Sequence, residues 1–479
     1  MKAADLILTG GRIVTLDGSA RIVAALAVAK GRIVAAGDST EVMPFAGEAT
    51  TLVQLRGRTV IPGLVDAHAH MDREGLKEML PSLAGCRSIA AIQARISALA
   101  ALREPGEWIV TMPIGDPPEY QDVPRCLAEG RLPTRHDLDE AAPNHPVYIR
   151  AIWGPWRHSM PLVSIANSKA LELAGVTPDT QAPSPSVTID RDAHGAPTGI
   201  FFEHSLMPLV EFTLMAAAPN FSLQDRIAGL ERSMAIYNAS GTTSIFEGHG
   251  VSADVLAAYE SVHRRCRATV RSTLTFSPAW SRTTGAAAAE VFGSWGKWLT
   301  GRGYGDDWLR LMGMHAEIGE SQEHRLRARL LPQTGWAGFN YDANLPRGAL
   351  KELLLECARS DIMVVGLTPA MLDLFTEVDA QVPLAGKRWS LGHIIDLDRD
   401  RIARIANMGL KIDPMVITKI EDPNGQVLFE AHPKKHQVVK PSSAYLMIDM
   451  LKDVISKGTA YGVTGGFNGW PGAGRTGTT

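Results

Sequence analysis

The stretch Thr59-Val-Ile-Pro-Gly-Leu-Val-Asp-Ala-His-Ala-His70 decides how the chain is read. Pro62 and Gly63 break the backbone, Leu64 and Val65 open an apolar run, and the run finishes in Asp66, His68 and His70. An apolar strand that follows a turn and ends in polar residues is how a buried parallel strand delivers side chains at its C-terminal end. Side chains alternate along a strand, so the imidazoles of His68 and His70 are expected on one side, where they can ligate one metal ion at roughly 2.0–2.1 Å each. The competing reading is a pair of polar residues at a strand terminus with no ligand role.

Upstream, residues 1–58 alternate β-branched runs with glycine breaks at Gly10-Gly11 and Lys30-Gly31, which predicts a small antiparallel β unit built of hairpins. Downstream, strand-like runs at 242–250, 268–276, 309–318, 362–368 and 388–395 alternate with helix-like runs such as 254–266 and 347–360. Such alternation predicts βα units on a parallel sheet, and histidines at the strand ends favour a barrel over an open sheet. A long insertion, about residues 73–240, is rich in turns and is expected to form a lid or cap over the barrel mouth. Beyond about Ile412 the character changes: residues 413–430 read as a hairpin around Pro423-Asn424-Gly425, residues 442–456 as a serine-capped amphipathic helix, and a glycine-rich tail follows.

Composition narrows the function classes. Lys and Arg number 48 against 51 Asp and Glu, a net charge of −3, which offers no basic surface for nucleic acid or anionic lipid. With 45% hydrophobic and 21% charged residues the 479-residue chain is globular in composition. No run reaches the roughly 18 apolar residues of a membrane span, and no signal peptide is read at the N-terminus, so a soluble, cytoplasmic protein is expected. Cys86, Cys126, Cys266 and Cys357 are scattered and read as buried thiols of a reducing compartment.

Several segments together resemble the metal-dependent amidohydrolase superfamily, in the branch similar to N-substituted formamide deformylases. They are residues 4–17, the run VIPGLVDAHAH at 60–70, residues 132–149, 167–176 and 195–203 in the insertion, and residues 392–412. The resemblance covers residues 1 to about 412. It implies a (β/α)8 TIM-type barrel, residues 59–412, flanked by a small β-sandwich portion. It also implies a divalent metal, usually zinc, at the barrel mouth, where water is activated to hydrolyse a non-peptide C–N bond in an amide-like small molecule.

Carried over by position, His68 and His70 match the first-strand ligands and His393 the sixth-strand histidine. Other positions depart from the family. The fourth-strand lysine falls on His315, the fifth-strand histidine falls near Gly366, and nothing matches the eighth-strand aspartate that shuttles a proton in relatives. Glu247 and His249 stand two apart in one run and can supply replacement ligands or a base, or can be mouth residues satisfied by hydrogen bonds. His315 and Glu317 share that spacing. Glu203 is a candidate for substrate contact, and Trp153, Trp156 and His158 either line the pocket or belong to a core. Glu247 and His315 are the expected catalytic residues.

Residues 413–479 resemble a second family, the transpeptidase domain of class A penicillin-binding proteins. Arg475-Thr476-Gly477-Thr478-Thr479 is similar to its K-T-G-T-T strand with arginine for lysine. Ser443 has Leu446 three residues on, where the nucleophile motif needs lysine. The sequence thus reads as a join near residues 411–415 between a barrel incomplete at strands seven and eight and a foreign fragment. A hydrolase, a catalytically inactive barrel that at most binds metal, and a transpeptidase fragment all remain open on the sequence.

Overall fold

The computed structural model describes residues 3–17, 21–116, 124–151, 161–205, 209–277, 285–323, 325–326, 344–392, 398–412, 419–421 and 427–430. His393, Trp153, Trp156, His158, Ser443, the predicted helix 442–456 and Arg475–Thr479 lie outside them. The chain divides into two compact units, one holding the described residues 3–64, 419–421 and 427–430, the other those within 65–412.

In the first unit the strand Leu6–Val14 pairs antiparallel with Ile22–Ala29, which pairs antiparallel with Arg32–Gly37. The hairpin at Lys30-Gly31 is as expected, with Ala29 opposite Arg32. Gly10-Gly11 is different: the strand runs through it, and the pairing register shifts between Thr9 and Ile13, so the glycines form a bulge. The unit is also mixed rather than purely antiparallel. Thr51–Gln54 and Thr59–Val60 both pair parallel to Leu6–Val14. Residues alternate between two small cores, Ile7, Ala25, Ala27 and Val42 on one side and Ile13, Leu26 and Leu55 on the other. Separately, Lys419–Glu421 and Val427–Glu430 pair antiparallel, as the predicted hairpin requires.

The second unit is an incomplete (β/α)8-type barrel. Its strands are β1 (Leu64–Asp66), β2 (Thr242–Val251), β3 (Arg271–Phe276), β4 (Leu309–His315), β5 (Val364–Gly366), β6 (Ser390–Leu391) and β7 (Lys411–Ile412). Neighbours in the sheet follow chain order from β1 to β7, and every pairing from β2 to β7 is parallel. Among the described residues the sheet ends at β7.

Helices α1 (Leu223–Ala239), α2 (Ala253–Arg264), α3 (Gly285–Gly293), α4 (Arg347–Arg359), α5 (Pro369–Asp379) and α6 (Arg399–Asn407) alternate with the strands. The apolar faces of α4 and α5 bury Leu350, Leu354, Met371, Leu372 and Phe375 against Val364, Trp389 and Leu391. Each such side chain contributes about 1.5–3 kcal/mol. Trp389 donates its indole N–H to the Ile362 carbonyl at 2.9 Å, which satisfies the polar end of a fully buried ring.

The insertion is a folded layer rather than a set of loops. Ile109–Thr111, Val147–Ile149, Leu162–Ala166, Pro197–Glu203 and Val187–Arg191 form a five-stranded sheet in that spatial order. Its two faces carry separate cores, one containing Ile92, Ile96, Leu138 and Ile149, the other Tyr148, Leu171, Phe201 and Met215. Two cysteines depart from expectation: Cys86 and Cys357 are buried, whereas Cys126 is half-buried and Cys266 exposed.

Candidate metal centre

β1 ends at Asp66, so His68 and His70 stand just beyond the strand and His70 opens the one-turn helix Met71–Glu74. This corrects the strand-alternation argument, although its outcome survives: the two rings lie edge to face with centroids 5.0 Å apart. The segment is pinned from three sides. Ala69 donates its N–H to the Phe246 carbonyl of β2 at 2.9 Å, His70 donates to the Tyr237 hydroxyl at 3.4 Å, and Gly75 donates to Ser233 Oγ at 2.7 Å. α1 comes so close that a Cβ on Gly75 would stand 2.0 Å from the Gly229 carbonyl oxygen. Glycine at both positions is what lets the ligand segment lie on the helix.

Glu247 and His249 project from β2 on one side, as the spacing predicts. One ligand atom each from His70, Glu247 and His249 lie within 4.8 Å of one another, and all three residues are buried. The rings of His70 and His249 have centroids 4.2 Å apart, and Nδ1 of His249 is 3.5 Å from Glu247 Oε2. Oε1 of Glu247 accepts hydrogen bonds from the Asp72 backbone N–H and the Tyr259 hydroxyl, each at 3.0 Å. Oε2, fully buried, accepts none. Burial pushes this carboxyl well above the usual carboxylate range, with the nearby Asp72 adding to the effect. A cation opposite Oε2 is the partner such a buried oxygen lacks. Burial, helped by Arg73, holds His249 well below the usual imidazole range and so neutral, the form that ligates a metal. Two imidazoles and a carboxylate, buried and converging, fit a divalent metal ion.

His315 ends β4 and is buried; its Nδ1 pairs with the Val365 carbonyl at 3.1 Å. A carbonyl only accepts, so Nδ1 carries the hydrogen, and in the neutral ring Nε2 is the acceptor. Gly250, at φ +83°, makes room: a Cβ there would meet His315 Cβ at 2.6 Å. β2 also shifts register between Glu247 and Val251, a bulge that re-aims the end of the strand.

Two expected carboxylates are used elsewhere. Glu317 lies past the end of β4, in the two-residue strand Glu317–Ile318, and accepts from the Leu367 N–H at 2.7 Å and the Thr368 hydroxyl at 2.6 Å. It anchors the start of α5. Glu203 accepts from the N–H groups of Leu209 at 2.7 Å and Val210 at 3.4 Å, and so caps the short helix Leu209–Phe212.

The sequence reading missed Asp72 and Arg73, buried beside the cluster and paired at 2.9 Å, and Tyr259 and Thr275, which hold Glu247 in place. The signal available was position: Asp72-Arg73 follows the H-x-H with only Met71 between.

A family model described as "Amidohydrolase family" matches residues 51–437. The chain belongs to the amidohydrolase family. A second model, the penicillin-binding protein transpeptidase domain, matches residues 401–479, so the two matches overlap around the expected join. The N-substituted formamide deformylase of Arthrobacter pascens is 28% identical over 204 residues, 42% of this chain and 34% of that protein. Penicillin-binding protein 1A of Clostridium novyi is 38% identical over 74 residues, 15% of this chain and 9% of that protein. The fold is similar to that of an uncharacterized metal-dependent hydrolase from Pyrococcus horikoshii, with TM-score 0.57 and 19% identity over 85% of this chain and 74% of that one. The amidohydrolase-type chain spans less than half the length of the curated relatives it matches over its first part. Among the described residues no helix is long and apolar enough to cross a membrane.

Proposed function

We propose that this amidohydrolase cleaves non-peptide, amide-like C–N bonds of small molecules, with His68, His70, Glu247 and His249 holding one divalent ion, zinc by donor type. The observation that carries this is the buried His70–Glu247–His249 set with Glu247 Oε2 outside every hydrogen bond. His393 is proposed as a further ligand on family position alone. A divalent ion at this set polarises a carbonyl and lowers the pKa of water.

The chain's own residues do the rest. The Asp72 N–H and Tyr259 hydroxyl hold Oε1, which leaves Oε2 aimed at the cluster. His315, with its Nδ1–H fixed on Val365, is the group proposed to take the proton from water at Nε2 and return it to the departing nitrogen. That role replaces the proton shuttle that relatives place on an eighth-strand aspartate. Cys86, Cys266 and Cys357 are free thiols, which supports a reducing, cytoplasmic setting.

The test is metal content together with turnover of N-formyl and N-acyl substrates by wild type and Glu247→Gln. Metal and turnover in wild type, both lost in the variant, support the proposal. Stoichiometric metal with no turnover assigns a binding protein without catalysis. Residues 413–479 lack the nucleophile motif, and a fluorescent penicillin is expected to leave the chain unlabelled.

A further inference from the structure

A permanent cation stands inside the cluster. Arg73 is 1% exposed, and Asp72 holds it side-on, Nε to Oδ1 at 2.9 Å and Nη2 to Oδ2 at 3.3 Å. Asp72 is in turn tied to Glu247 by its backbone N–H. A planar pair of this kind leaves a guanidinium little freedom. Its Nη2 is in contact with Nε2 of His249. An arginine nitrogen only donates, so Nε2 is the accepting atom of a neutral His249 ring, and the ring hydrogen is on Nδ1, which faces Glu247. A metal ion needs the ring's lone pair. Here that lone pair is directed at Arg73.

We propose that Arg73 is a positioning residue that weakens metal binding by competing with the ion for His249. The ion enters the cluster by replacing the guanidinium on that ring, and the centre is therefore an exchangeable one. An arginine does not lose its proton in proteins, so the competitor is present at every working pH. The inference rests on the reading that His70, Glu247 and His249 are the metal ligands.

Equilibrium dialysis of the full chain against zinc alone tests this, with wild type, Arg73→Lys, Arg73→Met and the double variant Asp72→Asn/Arg73→Met. Both variants carrying Arg73→Met are expected to bind zinc at least tenfold more tightly than wild type, a difference of about 1.4 kcal/mol. Arg73→Lys, which keeps a cation, falls between. A merely structural arginine gives the opposite sign, because its loss loosens the ligands. The double variant removes both members of the buried pair, and with them Asp72 as a source of tighter binding. Zinc bound equally or more weakly by both Met-carrying variants, with wild type still binding, overturns the competition and leaves the ligand assignment standing. No zinc on any of the four overturns the ligand assignment and the competition with it.

Discussion

The ends of β2 and β4 each carry an imidazole and a carboxylate two residues apart, Glu247 with His249 and His315 with Glu317, yet the two carboxylates serve different ends. At β2 the strand continues to Val251, both side chains stay on one side, and Glu247 keeps one oxygen outside any hydrogen bond. At β4 the strand stops at His315, and Glu317 spends its oxygens on the backbone of Ile318 and Leu367 and the hydroxyl of Thr368. Both carboxyls are buried and both are pushed upward by that burial. A raised carboxyl therefore does not by itself mark a functional group. What separates the two is whether protein donors hold both oxygens, as at Glu317, or leave one outside any hydrogen bond, as at Glu247.

The largest effect that would sharpen this contrast is on metal binding. Glu247→Gln is expected to lower zinc affinity by roughly a hundredfold or more, with only a small change in unfolding midpoint, read by dialysis and thermal melting. Glu317→Gln should do the reverse: metal content unchanged, and stability lower by about 2–3 kcal/mol in urea unfolding, because charged acceptors of backbone N–H groups are lost. Equal loss of zinc in both variants would break the comparison.

Gly250→Ala comes next. Its positive φ and the 2.6 Å approach to His315 Cβ predict a loss of about 2 kcal/mol and a displaced His315, seen as a shifted imidazole resonance in NMR spectra. Smallest is a pH effect away from the centre. Asp137 accepts from Arg131 and from the Thr134 backbone, which holds its carboxyl down at about 2. A depressed carboxyl contributes stability above its unfolded value near 3.9 and loses it as pH falls toward 2. Asp137→Asn should cost about 1 kcal/mol at pH 6 and nothing near pH 2.

How much of this was legible follows from the same physics. The barrel strands were readable because long apolar runs alternate with helical ones, and each predicted run contains a strand, from Thr242–Val251 to Ser390–Leu391. Glu247 and His249 were readable as a pair because a spacing of two on a strand end fixes a common side, whereas His70 stands beyond the end of β1. Spacing does not say where a strand ends, so it could not separate Glu317 from Glu247. The insertion's sheet escaped notice because four of its five strands have five or fewer residues between polar turns, for example Ile109–Thr111 and Val147–Ile149. Asp72-Arg73 went unread because nothing local distinguishes a solvated charged pair from one the fold buries.

The most direct test of the account is zinc bound per chain in wild type, Glu247→Gln and Glu317→Gln, measured side by side on folded protein. The account predicts one zinc in wild type and in Glu317→Gln, and little in Glu247→Gln. Zinc retained in Glu247→Gln at the wild-type affinity would contradict it.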